Sequence, residues 1–289
     1  PNRRQFCASL AAATTVFATG ANAASAPAQG FKIMGVNHIS YACADYRKAR
    51  DFYASVLGME NVARADNGHE TRLMFGPSKG GSFLIPRNGR TAGKAKAVVD
   101  HICYAVAGSD ETRIRAALTA KGITPAGRDA GLHVYDPFHY DVQIKAAGAT
   151  GGGDAALKAI RVDHISYSCP DFKRAADWYS SIFNLEQTGA TASEVTLAFG
   201  KRGDAMPALI IRTRPNGDTA NPSPQRKAKA LVNHIAYTIA DFEKERVRAE
   251  LKRLGYANPL QDGEHSFHIV DPNGFDVQIS GIEMTALSG

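Results

Sequence analysis

Histidine is the residue of this chain with the most chemistry to offer. A neutral imidazole can ligate a metal, move a proton, or fill a hydrogen-bonded place in a core. Nine are present. Four of them, His38, His101, His164 and His234, share one local pattern: an apolar residue, Asn or Asp, His, Ile, a small residue and Tyr. Two more, His133 and His268, each lie ten residues before a glutamine, Gln143 and Gln278, with a proline-containing turn between. If each stretch is a tight hairpin, His and Gln sit close together on adjacent strands. Three imidazoles and an amide gathered in one place could hold a metal. Without a metal or an acid, three buried imidazoles each need a hydrogen-bond partner or stay neutral at a cost. His139 and His265 read as loop or surface residues.

The elements that carry these histidines are repeated. Val36-Asn37-His38-Ile39-Ser40-Tyr41 returns as Val162-Asp163-His164-Ile165-Ser166-Tyr167, Lys94 to Ile102 returns as Lys227 to Ile235, and Asp136 to Ile144 as Asp271 to Ile279. The chain is a tandem duplication of a unit of about 120 residues, and each unit is itself two shorter modules. Every module opens on a period-2 strand, with Ile and Tyr on one face and His on the other. Asp45 to Val56, Asp110 to Lys121, Asp171 to Ile182 and Asp241 to Leu254 follow as amphipathic helices, each opened by an Asp placed to cap it. With further short strands, the expected module is βαβββ, four times over, an α+β fold. The expected divisions are a leader (1–30), a first domain (31–146), a glycine-rich linker (147–157) and a second domain (158–289), with residues 213–228 a loop in the second domain. Strand parity puts His234 on one face with Ala236 and Thr238, and Gln278 with Asp276. Phe275, Val277 and Ile279 form the apolar face. Tyr53, Trp178 and Tyr179 sit at helix spacing among apolar residues and read as core.

Composition narrows the function classes. With 44% hydrophobic and 21% charged residues, disorder, collagen and coiled coil are excluded. After the N-terminal segment no run approaches the roughly 20 apolar residues of a membrane-spanning helix. The net charge of +6 is ordinary, and Lys94 to Lys96 and Arg226 to Lys229 are too short for a nucleic-acid track. Asn2-Arg3-Arg4-Gln5-Phe6, a mildly apolar run from Cys7 to Ala18, and Ala21-Asn22-Ala23 form the pattern of a twin-arginine export signal, so a periplasmic location is expected. Cleavage after Ala23 would leave Cys43, Cys103 and Cys169, an odd number without a Cys-x-x-Cys pair; they read as buried small residues.

The strand opening Asp163-His164-Ile165-Ser166-Tyr167 and the ending Asp271-Pro272-Asn273-Gly274-Phe275-Asp276-Val277-Gln278-Ile279, in a four-module chain, resemble the vicinal oxygen chelate superfamily. That superfamily includes glyoxalase I, fosfomycin resistance proteins, methylmalonyl-CoA epimerase and type I extradiol dioxygenases, and the resemblance covers nearly the whole chain after the leader. It implies two domains, each a pair of modules forming a metal-binding cup. In the extradiol branch the ligands are a His on the first strand of each module and a Glu on the last strand, a facial triad with open positions. Carried over, the second domain offers His164, His234 and Gln278, and the first offers His38, His101 and Gln143. Glutamine in place of Glu leaves more charge on the ion, which weakens binding and strengthens the Lewis acid; glutamine ligands occur in glyoxalase I and in the epimerase. The His268 position, with His133 its repeat, resembles one where extradiol dioxygenases carry a Tyr near the substrate, so it could be an acid/base residue or a fourth ligand. Fe, Mn, Zn and Ni all suit such donors. The implied function is a metal-dependent enzyme acting on a small molecule that chelates through two vicinal oxygens. Extradiol ring cleavage of a catechol-type compound comes first, redox-neutral glyoxalase, epimerase or lyase-type chemistry second, and sequestration of a ligand without turnover third. A small-molecule partner is expected, and neither nucleic acid nor membrane.

Overall fold

A computed structural model describes residues 33–62, 68–76, 81–89, 96–106, 110–128, 131–146, 159–199, 207–214 and 230–281. The leader, the glycine-rich linker and the 213–228 loop beyond Arg214 lie outside the described residues. The first unit runs β1 (Ile33–Cys43), α1 (Tyr46–Leu57), β2 (Glu60–Asn61), β3 (Leu73–Phe75), β4 (Ser82–Asn88), β5 (Val98–Val106), α2 (Glu111–Ala120), β6 (Ala126–Arg128), β7 (Gly131–Tyr135) and β8 (Asp141–Ala146). The second runs β9 (Ala159–Cys169), α3 (Phe172–Phe183), β10 (Glu186–Ala190), β11 (Glu194–Ala198), β12 (Ala208–Thr213), β13 (Leu231–Ile239), α4 (Lys244–Arg253), β14 (Leu260–Asp262), β15 (Ser266–Val270) and β16 (Asp276–Ser280). This is the βαβββ module four times.

Each unit forms one sheet, in the orders β2-β3-β4-β1-β5-β8-β7-β6 and β10-β11-β12-β9-β13-β16-β15-β14. The first strand of every module lies innermost and pairs antiparallel with that of its sister, β1 with β5 and β9 with β13. Sequence parity therefore has a tertiary consequence: the histidine-bearing face of each first strand meets the same face of its neighbour at the centre of the sheet. Edge strands are short, which limits pairing with other chains.

Three helices start where an aspartate can cap them. Asp45 accepts from the Arg47 and Lys48 amides, Asp110 from Arg113 and Asp171 from Arg174, each cap contributing about 1 kcal/mol. The fourth differs from expectation. Asp241 takes a left-handed φ of 49° in the turn before the helix, and α4 begins at Lys244 with Glu243 as its cap. The Glu243 side chain reaches the Glu245 and Arg246 amides, so the job passes two residues along.

The opposite sheet faces, rich in Ile and Tyr, share one core across both units. Tyr53 of α1 stands edge-on to Tyr237 of β13, as does Phe75, and Tyr104 of β5 packs on Phe183 and Phe199. Seven tyrosines, Tyr41, Tyr46, Tyr53, Tyr104, Tyr167, Tyr179 and Tyr237, are almost wholly buried. A buried phenol needs a partner, and several of them find it in the other unit: the Tyr41 hydroxyl donates to Asp271, and the Tyr167 and Tyr179 hydroxyls donate to Asp136. Cys43, Cys103 and Cys169 are buried free thiols, each pushed up to about 12 chiefly by burial.

Candidate metal centre

Each first-strand histidine follows a polar residue that strand alternation assigns to the other face. The pairing register shows why it does not stay there. Asn37 and Asp100 are extra residues in the β1–β5 ladder, and Asp163 and Asn233 in the β9–β13 ladder, so all four Asn/Asp-His steps fall on β-bulges. A bulge re-aims side chains. Asp163 Oδ1 thereby accepts from His164 Nδ1 at 2.8 Å, and Asn37 Oδ1 from His38 Nδ1 at 2.9 Å. Both acceptors lack a proton to give, so Nδ1 carries the hydrogen, and in the neutral ring Nε2 is left as the lone pair.

Those lone pairs face the sister strand. His164 Nε2 lies 3.1 Å from His234 Nε2, and His38 Nε2 lies 3.3 Å from His101 Nε2, with the rings edge-on. Two nitrogens bound about 2.1 Å from one ion at right angles stand about 3.0 Å apart, so the second pair already has ligand spacing. Burial lowers His234 to about 2, His38 to about 3 and His101 to about 4, with the neighbouring imidazole a further cause in each. All three are neutral at physiological pH, the state a metal ligand requires.

The hairpins deliver the rest. His133 pairs with Gln143 across β7–β8, and His268 with Gln278 across β15–β16. The His101 and His133 rings come within 5.2 Å, and those of His234 and His268 within 5.0 Å. In the second unit the orientation of the amide follows from its surroundings. Ser266 Oγ gives its hydrogen to the Asp262 carbonyl at 2.6 Å, so it can only accept from Gln278, which presents Nε2 at 2.9 Å. Asp262 Oδ2 holds the same nitrogen at 3.4 Å. The Gln278 carbonyl is thereby left for the cup, on the side of His234. Two imidazole nitrogens and one amide oxygen make a donor set that fits a divalent transition ion.

Two site residues escaped the sequence reading. Asp276 Oδ1 accepts from His268 Nδ1 at 2.8 Å, and Asp141 Oδ1 from His133 Nδ1 at 2.8 Å. Burial pushes His268 down, but the hydrogen bond and charge of Asp276, joined by Asp262, outweigh it and raise its proton affinity. His234, His268 and Asp276 each offer a donor atom within 4.8 Å of the other two, the only such group of three among the described residues. The signal was available: both aspartates lie two residues before the glutamine, on its face of the strand. Of the unmatched histidines, His139 takes a left-handed φ of 62° at the turn position where the second unit has Gly274, and His265 lies beside β15.

Paired βαβββ modules with their first-strand histidines converging at the sheet centre define a cup architecture, present twice. Residues 35–144 and 163–269 both match the Glyoxalase/Bleomycin resistance protein/Dioxygenase superfamily, and the chain belongs to it. Among solved structures it is similar to a Mn(II)-bound glyoxalase from Novosphingobium aromaticivorans, at 16% identity and a TM-score of 0.66, over 87% of this chain and 83% of that one. The 2,3-dioxygenase LapB from Pseudomonas sp. KL28 gives 13% identity and 0.66, over 87% and 93%. Homoprotocatechuate 2,3-dioxygenase from Arthrobacter globiformis gives 16% and 0.65, over 88% and 82%. At such identities the likeness shows the fold. No curated protein matches the sequence.

Proposed function

We propose that the second unit is the working cup of a metal-dependent enzyme whose small substrate chelates through two vicinal oxygens, with His164, His234 and Gln278 as the metal ligands. The observation that carries this reading is the 3.1 Å approach of the His164 and His234 Nε2 atoms beside the Gln278 amide. A divalent ion bound there supplies Lewis acidity to both substrate oxygens. His268 is the acid/base residue: with Nδ1 held by Asp276, its Nε2 edge is the one turned toward Asp262, at 3.5 Å, and it can take a proton from a substrate hydroxyl and return it. The wall beside these residues is small. Where β4 places Phe83 against His38, β12 places Ala208 against His164, and Met74 of β3 corresponds to Ala198 of β11. Two bulky side chains of the first cup are thus replaced by alanines in the second.

The chemistry favoured is extradiol-type ring cleavage of a catechol-type compound, supported by the four-module layout and by the likeness to two 2,3-dioxygenases. A second reading is redox-neutral, a glyoxalase, epimerase or lyase-type proton transfer, favoured by a neutral glutamine where a ring-cleaving site has a carboxylate and by the likeness to a glyoxalase. Metal content of protein purified without chelators or oxygen comes first. About one equivalent of a single transition metal, lost in His234→Ala, supports the cup, and unchanged content in that variant overturns the ligand assignment. Oxygen consumption with catechol then separates the chemistries: uptake supports ring cleavage, while dicarbonyl turnover without oxygen supports the second reading. His268→Gln is expected to keep the metal and lose roughly 100-fold or more in kcat; a loss of metal instead would make His268 a ligand. We also take residues 1–30 as the export leader, so that Arg3→Lys with Arg4→Lys should hold the protein in the cytoplasm.

A further inference from the structure

The two cups share their histidines but have parted in charge. Arg128 of β6 occupies the place that Asp262 holds in β14, Lys145 of β8 the place of Ser280, and Arg72 the place of Thr196. In the second cup Asp262 and Asp276 flank His268. In the first, Arg128 binds Asp141 and so neutralises the corresponding carboxylate, while Arg87 binds Asp100. That leaves Arg72 and Lys145, both near enough to His38 to act on it electrostatically, and neither side chain has a hydrogen-bond or ion-pair partner among the described residues. Lys145 has a place made for it. A Cβ on Gly131 would stand 3.1 Å from the lysine Cγ and Cε and 2.6 Å from Gln143 Nε2, so the stem lies over the glycine beside the amide, where the second cup has the side chain of Ser266. A half-buried ammonium without a carboxylate calls for an anion from outside. Cations ringed around neutral imidazoles also repel a divalent metal, and among the described residues this cup has no three-donor group like that of the second.

We propose that the first cup is an anion site. Arg72 and Lys145 hold the carboxylate of a small acid whose apolar body lies against Met74, Phe83 and Ile85 on the same sheet face, and no divalent metal resides among His38, His101 and Gln143. The assignment does not depend on which reaction the second cup performs.

Benzoate, an apolar body bearing one carboxylate, is the probe, titrated by calorimetry into the whole protein. One site per chain is expected, weakening with added salt. Affinity should fall by about tenfold or more in Arg72→Thr with Lys145→Ser, which installs the residues of the second cup. Circular dichroism melting confirms that this variant is folded, and Lys145→Gln serves in its place if it is not. Mn(II) loading should stop at one equivalent and be insensitive to His38→Ala. Benzoate binding that is absent, or unchanged in the folded variant, overturns the proposal. So does a second equivalent of Mn(II) that His38→Ala removes. A protein that takes no metal in either cup defeats the enzyme reading above, and the benzoate result still decides this one.

Discussion

Asp163 shows how one residue beside a ligand governs what that ligand can do. Its Oδ1 fixes the His164 tautomer and aims Nε2 at the cup, while Oδ2 receives Thr238 Oγ1 at 3.3 Å. Asp163→Ala is expected to lower metal affinity in the second cup by about 10–100-fold. Asp163→Asn keeps the Oδ1 acceptor, as Asn37 does in the first cup, and should recover most of that loss; equal losses in the two variants would mean that the tautomer is not what matters. The choice of glutamine at 278 has a similarly local cause. Its Nε2 is a donor facing Asp262 Oδ2 at 3.4 Å, where a glutamate would set oxygen against oxygen. Gln278→Glu alone should therefore tighten metal binding only modestly. Combined with Asp262→Asn it should tighten binding clearly beyond wild type, as competition against a chelator would measure. If the double variant binds more weakly, Gln278 is not a ligand.

At the scale of elements, the period-2 openings and the capping aspartates were enough to foresee four βαβββ modules, because strand alternation and helix capping are local. The same locality explains what was missed. Alternation alone puts Asn37 and Asp163 on the far face, and only the β1–β5 and β9–β13 registers, set by residues tens of positions away, turn them into bulges beside their histidines. Asp241 fitted the capping pattern but lost the role to Glu243, since the turn after β13 extends two residues further than those after β1 and β9. Asp141 and Asp276 could be placed on the right face, yet their partners come from a neighbouring strand. One element junction makes a sharp prediction. Gly76, just after β3, has a φ of 94°, and a Cβ there would lie 2.9 Å from the Ile160 carbonyl of β9. Gly76→Ala combines an unfavourable backbone conformation with a backbone collision, and should destabilise the protein by about 1–3 kcal/mol. Urea unfolding monitored by fluorescence measures it; a midpoint equal to wild type would mean that the contact between the units yields to the added methyl group.

The whole molecule is held in register by a crossed pair of hydrogen bonds that no local pattern announces. Asp136 and Asp271 close tight turns with one carboxylate oxygen, accepting the Phe138 and Tyr140 amides in one unit and the Asn273 and Phe275 amides in the other. The second oxygen of each takes a buried tyrosine hydroxyl from the opposite unit. Burial raises the proton affinity of both carboxyls above the ordinary carboxylate value, and the hydrogen bonds they accept offset this only in part. Because the folded state therefore binds a proton more readily than the unfolded one, each ionised carboxylate opposes folding at neutral pH. The opposition fades as pH falls through the raised folded value toward the unfolded value near 4. Asp271→Asn keeps the turn through its carbonyl and turns its amide toward the Tyr41 oxygen, which can accept. It should be as stable as wild type or more so at pH 7, with that advantage shrinking as pH falls toward 4. Tyr41→Phe does the reverse. It strips a donor from a buried charge, should cost about 2 kcal/mol at neutral pH, and should recover part of that loss on acidification. Denaturant titrations of the three proteins across this range read the difference directly. A Tyr41→Phe cost that does not change with pH would show that Asp271 is already protonated in the native protein, making the contact between the units one of neutral groups.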